Sequence, residues 1–214
     1  MKNKNTIKIY QDYKKQIISG KLNKGDRLVE TSIAKEYNAS RLHVKEAFHM
    51  LEREHLAEYI RNCGFVVLGV STEVLAEIAL IRQALEQVII KKVIEVATPE
   101  NIEHMKRIVS RMKVFANNAM LEDSFSELSR LYRYFYDISK YEHIVNVLNM
   151  YNDYIDVIIQ MSATKVEDHI EGYTIMENLV EAIEKKDVDW AIKTFRFRLL
   201  FKNNRIIYGY FFCA

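Results

Sequence analysis

NASRLHVKEAF, residues 38 to 48, reads as a tight turn followed by the opening turns of a helix with one cationic side. Ser40 is placed to cap that helix, its side-chain oxygen accepting from an otherwise orphan amide, and Asn38 tolerates the left-handed backbone that such a turn needs. Val44, Ala47, Phe48 and Leu51 recur at helical spacing and form a buried face. Arg41, Lys45 and His49 stand four residues apart on the other side. A cationic row of this kind suits phosphates and guanine edges, which accept hydrogen bonds from Arg and Lys in the major groove. Taken in isolation, such a row is an ordinary solvated face. Its surroundings make it a candidate DNA reader.

Upstream, Tyr10, Tyr13 and Ile17 mark an amphipathic helix closed by Gly20 and the turn residues Asn23 to Asp26. A strand-like GDRLVE segment contains Arg27, and a short helix follows with Thr31 as its expected cap and Ile33, Ala34 and Tyr37 as its apolar face. Downstream, Leu56 to Ile60 and Phe65 to Leu68 are apolar runs separated by Arg61, Asn62, Cys63 and Gly64, a hairpin signature. Helix, strand, helix, helix and hairpin, in that order, make a winged helix-turn-helix.

This stretch resembles the GntR family of bacterial transcription regulators, whose pattern is Ser-Arg-Thr-x-Val-Arg-Glu-Ala-Leu with a Gly-x-Gly wing. The matching residues here are Ser40, Arg41, Leu42, His43, Val44, Lys45, Glu46, Ala47 and Phe48, with Gly64 as the second wing glycine. The resemblance implies that Arg27, Ser40, Arg41, Leu42, His43, Lys45, Arg61, Asn62 and Gly64 contact double-stranded DNA at a palindromic operator. This chain departs from the pattern where bases would be touched. Leu42 replaces a small hydroxyl residue, Lys45 replaces an arginine and so loses the planar fork, and Thr31 sits where some relatives carry another arginine.

The 214 residues, 49% hydrophobic with one proline and six glycines, suggest a mainly helical protein large enough for two domains. Residues 1–70 hold 13 Lys or Arg against 8 Asp or Glu, a surplus of five; the net of +2 for the whole chain leaves residues 71–214 three short. A basic winged helix over 1–70 joined to a slightly acidic, all-α bundle over 71–214 is the expected organisation. No apolar run approaches a membrane span, and the polar, basic start MKNKNTIKIY lacks the apolar stretch of a signal peptide, so a cytoplasmic location is expected. Cys63 and Cys213 form no disulfide framework, zinc motif or catalytic pair. No phosphate loop or nucleophile elbow is present, so no enzyme is expected.

From Thr72 the pattern reads as helix throughout, over 73–96, from Pro99 behind the cap Thr98, and over about 122–139, 142–161, 166–185 and 188–205. This part resembles the FCD domain, the helical effector-binding bundle of the FadR subgroup, through ALIRQALE (Ala79 to Glu86) and LVEAIEKKDVDWA (Leu179 to Ala191). In that family an aspartate and three histidines commonly hold a divalent metal. The corresponding positions here are Ser129, Arg133, Met176 and Arg198, which make no ligand set, so neither a metal nor another cofactor is expected. Two readings stay open. In one, Arg82, Ser129, Arg133, Met176 and Arg198 line an effector site in which Arg133 and Arg198, with Arg82 as a third member, take the carboxylate or phosphate of a small effector directly. In the other, Glu86, Glu177 or Glu181 neutralise them and the region is packing. Phe125, Tyr132, Phe135, Tyr136 and Tyr173 fit core better than a ligand box, and the lone His169 is an ordinary surface or core residue.

The function expected from these features is a ligand-responsive, DNA-binding transcription regulator, a repressor acting as a homodimer. One short recognition helix reads only a few base pairs, and two helices one turn of DNA apart read a palindrome. The competing expectation is a non-catalytic sensor or protein-interaction module whose winged helix has lost its operator.

Overall fold

The computed structural model describes residues 4–154 and 165–195, together with the backbone of 198–202 and 205–209. The chain forms two compact units, Met1–Leu75 and Ala76–Ala214, so the join falls one turn inside a long helix rather than just before it.

The first unit contains α1 (Lys4–Ile18), β1 (Arg27–Leu28), α2 (Glu30–Glu36), α3 (Arg41–Arg53), β2 (Ala57–Ile60) and β3 (Gly64–Val67). The three strands form an antiparallel sheet in the order β1-β3-β2, with Leu28 opposite Phe65 and Ile60 opposite Gly64. Tyr13 and Ile17 of α1 and Val44, Ala47, Phe48 and Leu51 of α3 are buried as expected, whereas Tyr10 is only half-buried and Ile9 takes its place in the core. Each large apolar group buried in this way contributes roughly 1.5–3 kcal/mol. Edge-on aromatic contacts run from Tyr13 to Phe48 at 5.7 Å, from Phe48 to Phe65 at 5.4 Å and from Phe65 to Tyr59 at 5.2 Å, tying the helices to the hairpin. Thr31 is not a cap: α2 starts two residues earlier than such a cap implies, behind Val29, which makes no side-chain capping bond.

In the second unit, α4 (Thr72–Val96), which begins in the first, is followed by α5 (Pro99–Asn117), α6 (Leu121–Ser139), α7 (Glu142–Asn149), α8 (Val166–Glu184) and α9 (Val188–Thr194). Thr98 and Asn101 exchange hydrogen bonds in a reciprocal cap at the start of α5, with Pro99 in the first turn. Asp187 caps α9 by accepting from Trp190 N at 2.9 Å. Ile89, Val93, Met105, Ile108, Leu131, Phe135, Met176 and Leu179 belong to one buried cluster drawn from α4, α5, α6 and α8.

The helix expected over 142–161 is interrupted: α7 ends at Asn149, a turn covers 150–151, residues 152–154 are helical again, and residues 155–164 lie outside the described residues. The helix expected over 188–205 ends at Thr194, and β4 (Arg198–Lys202) and β5 (Arg205–Gly209) follow as an antiparallel hairpin, so the second unit is not purely helical. The reason is visible in RLLFK and RIIYG, two apolar runs separated by two asparagines, a spacing that a hairpin satisfies and a helix does not use.

Candidate functional sites

The first candidate site is the exposed start of α3. Ser40 Oγ accepts from His43 N at 3.3 Å, and Asn38 takes φ 46°, so the cap and the left-handed turn are both present. Arg41, Leu42 and Lys45 are exposed and His43 is half-buried. His49 leaves the cationic row. Its Nδ1 lies 2.9 Å from Glu52 Oε2 and its ring meets the edge of Phe65 at 5.0 Å, so it braces the helix against the sheet. Glu52 also accepts from Tyr59 N at 3.1 Å, and these hydrogen bonds, that from His49 foremost, hold its carboxyl below the ordinary value.

At the wing tip Arg61 and Asn62 are exposed. Asn62 and Gly64 take φ 66° and 86°, and no neighbouring atom lies within 4 Å of a Cβ built on Gly64, so the demand at that glycine is conformational rather than spatial. Arg27 on β1 reaches the same tip, where its Nε and Nη2 donate to Cys63 Sγ at 3.0 and 2.6 Å. The structure therefore brings two local groups together on one unit: Ser40 to Lys45 at the start of α3, and Arg27, Arg61, Asn62 and Gly64 at the hairpin. The His49–Glu52 pair has the i, i+3 spacing of a helix face, whereas the Tyr59–Glu52 bond and the Arg27–Cys63 contact carry no sequence pattern.

The second candidate site is a cavity of about 470 Å³ in the helical unit, lined by α4, α6 and the residues around the end of α7. Arg82, Ser129 and Arg133 all line it, as do Tyr132, Tyr136 and Asn152. Met176 does not, being fully buried in the hydrophobic cluster. Arg198 stands on β4, and its side chain lies outside the described residues.

The two arginines of this cavity differ. Arg82 Nε lies 2.6 Å from Oε1 of Glu86, a carboxylate only 2% exposed, and Tyr136 Oη donates to the same oxygen at 2.6 Å. The Arg82 guanidinium also sits 4.9 Å from the centre of the Tyr132 ring. Burial disfavours the charge on Arg82, but Glu86 outweighs it and holds the guanidinium protonated. Burial pushes the Glu86 carboxyl up against the opposing pull of Arg82 and Tyr136. It also pushes the Tyr136 hydroxyl up, so that group stays a donor. For Arg82 the packing reading holds, with Glu86 as its partner.

Glu177 and Glu181 pair with Lys113 at 3.1 Å and Lys185 at 2.6 Å, and neither pairs with Arg82 or Arg133. Arg133 is exposed to the cavity. Its Nε donates to Ser129 O at 3.3 Å, and among the described residues no carboxylate pairs with it. The sequence reading did not identify Ser126, Asn149 and Asn152, which line the cavity with Arg133. The spacing of Ser126, Ser129 and Arg133 along one helical face was the available signal. Phe125, Tyr132 and Tyr136 line the cavity, whereas Phe135 is core and Tyr173 packs under Lys113. No helix among the described residues is long and apolar enough to cross a membrane.

Each unit matches a known family model. Residues 5–67 match the family model of bacterial regulatory proteins of the gntR family, and residues 77–196 match the FCD domain. The uncharacterised HTH-type transcriptional regulator YdhC of Bacillus subtilis is 28% identical over 191 residues, covering 86% of this chain and 83% of that protein. The gluconate operon transcriptional repressor of the same organism is 26% identical, covering 84% and 67%. Among solved structures, E. coli McbR/YncC superposes with a TM-score of 0.64 at 19% identity over 90% of this chain and 92% of its own. Lar of Listeria monocytogenes gives 0.61 at 18% identity over 91% and 92%.

Proposed function

This chain belongs to the GntR family and is a DNA-binding transcription regulator with an FCD effector-binding domain, and we propose that it is a cytoplasmic, homodimeric repressor released from a palindromic operator by a small anionic metabolite. The observation that carries the effector reading is Arg133. It offers a guanidinium to a cavity of ligand size in which the other arginine is already matched by Glu86. Among the described residues one cation is left open to the cavity, which suits one anionic group, a carboxylate or phosphate, and the hydroxyls and amides of Ser126, Ser129, Asn149 and Asn152 suit a polar remainder. No metal is needed for that recognition, because Ser129 and Arg133 stand where the family's ligands would be.

The repressor reading draws support from relatives named as gluconate operon repressors. Support for the homodimer comes from α4, where Glu77, Leu80, Ile81, Ala84, Val88 and Lys91 form an exposed stripe. Two such helices running antiparallel about Ala84 would set Leu80 against Val88 and Glu77 against Lys91 of the second copy, a self-complementary arrangement. On the DNA side, Arg41 and Lys45 on the recognition helix, with Arg27, Arg61, Asn62 and Gly64 at the wing, are the proposed contacts; Ser40 and His43 set the helix start between them.

A thermal-shift screen of the full chain against small carboxylates and phosphates, with elemental analysis of the same sample, tests the effector reading. A stabilising anion whose effect disappears in Arg133→Met, in protein free of stoichiometric transition metal, is the expected result. One tightly held metal per chain, or anion stabilisation unchanged in Arg133→Met, would overturn it.

A further inference from the structure

Leu42 is 64% exposed, more than any other large apolar side chain among the described residues. A solitary exposed leucine is ordinary on a protein surface. This one stands at the centre of the face that a helix-turn-helix offers to the major groove. Successive residues of α3 turn by about 100°. Measured against the buried arc of Val44, Ala47, Phe48 and Leu51, Leu42 therefore projects almost directly outward, with Arg41 and Lys45 on one flank and Glu46 on the other. Glu46 is held back toward α1, accepting from Thr6 Oγ1 at 3.2 Å. The outermost point of the first turn is thus an apolar group beside two cations.

We propose that Leu42 is a specificity-determining residue that reads the 5-methyl group of thymine in each half-site. The inference rests on α3 being the recognition helix. In the major groove every base pair presents hydrogen-bonding edges, and thymine alone among the four bases adds an apolar methyl. Leucine has no polar atom with which to satisfy an exposed edge. Set over cytosine or guanine it would bury donors or acceptors without partners, whereas over thymine it covers a methyl. Lys45 on its flank draws the phosphate backbone in and so presses this side chain into the groove.

The test uses the full chain and duplexes selected from a random pool. Each thymine of the selected consensus is replaced in turn by uracil, which lacks only the methyl group. One position per half-site should respond, with affinity falling about fourfold, the value of burying a single methyl group. At that position 5-methylcytosine should bind better than cytosine. Leu42→Ser, a surface change that leaves the core of α3 intact, should bind thymine and uracil duplexes alike. Absence of any uracil-sensitive position, equal binding of cytosine and 5-methylcytosine there, or full discrimination by Leu42→Ser would each overturn the proposal. Failure to select any duplex over bulk DNA would overturn the recognition-helix assignment itself, and this inference with it.

Discussion

Replacing Arg82 with methionine should damage the helical unit far more than the same change at Arg133, although both residues line one cavity. Glu86 is 2% exposed and Arg82 13%, so their pairing at 2.6 Å is shielded from solvent. Methionine keeps much of the volume but leaves the Glu86 carboxyl buried with Tyr136 as its remaining partner. Breaking a buried pair in this way costs about 3–5 kcal/mol. For a chain of this size each kcal/mol corresponds to about 2–4 °C in melting temperature, so a fall of roughly 6–20 °C is expected. In Arg82→Met/Glu86→Leu both charges are gone and stability should recover most of that loss, short by about 1–3 kcal/mol for the hydroxyl of Tyr136 left without its acceptor. Arg133→Met, at an exposed position with no ion pair among the described residues, should lie within about 0.5 kcal/mol of the parent. Urea unfolding and calorimetry on the four proteins measure these differences. A loss under about 1 kcal/mol for Arg82→Met, or a double variant less stable than the single, would refute the reasoning.

At the DNA site, Arg41→Ala should weaken operator binding and relax base preference by roughly 1–3 kcal/mol, whereas Lys45→Ala should weaken all duplexes evenly and flatten the salt dependence; equal, unchanged binding of both to every duplex in fluorescence anisotropy would count against the assignment. Glu77→Lys and Lys91→Glu should each shift the chain toward monomer in light scattering, and the combined exchange should restore the dimer; a dimer indifferent to all three would place the association surface elsewhere. Glu52 has a folded-state pKa below its unfolded value, so its bonds to His49 and Tyr59 stabilise the wing fully above about pH 4.5 and are lost as pH falls through the lower, folded value. Acid should therefore weaken the parent more steeply than Glu52→Gln, and parallel pH profiles would contradict this.

The winged helix was legible because its signals are local. A cap at Ser40, a left-handed Asn38, a 3.6-residue apolar period from Val44 to Leu51 and two short runs about Asn62 and Gly64 each specify the backbone within a few residues. The Glu52–Tyr59 bond and the Arg27–Cys63 contact were not, since they join residues brought together only when the three strands assemble against α3. In the helical unit, the cap at Thr98 and the turn before Asp187 were readable for the same local reason. The C-terminal hairpin was missed because the helical period of the preceding segments was carried on past Thr194, over two apolar runs whose separation favours pairing. The cavity was half legible. Ser129 and Arg133 share one face of α6, but whether an arginine is satisfied depends on a partner four residues away for Arg82 and on tertiary packing for Arg133. Met176 followed the same family correspondence yet faces the core, where an unbranched apolar side chain contributes more as packing.

The most direct test of the account is anisotropy of a labelled duplex, drawn from the selected sites, bound by the full chain and titrated with the anion that most raises its melting temperature. The expected result is release of the duplex by that anion from the parent protein, and retention of the duplex at every anion concentration by Arg133→Met, which should bind DNA as the parent does. Release of both proteins alike, or of neither, would contradict a regulator whose hold on DNA is governed through Arg133.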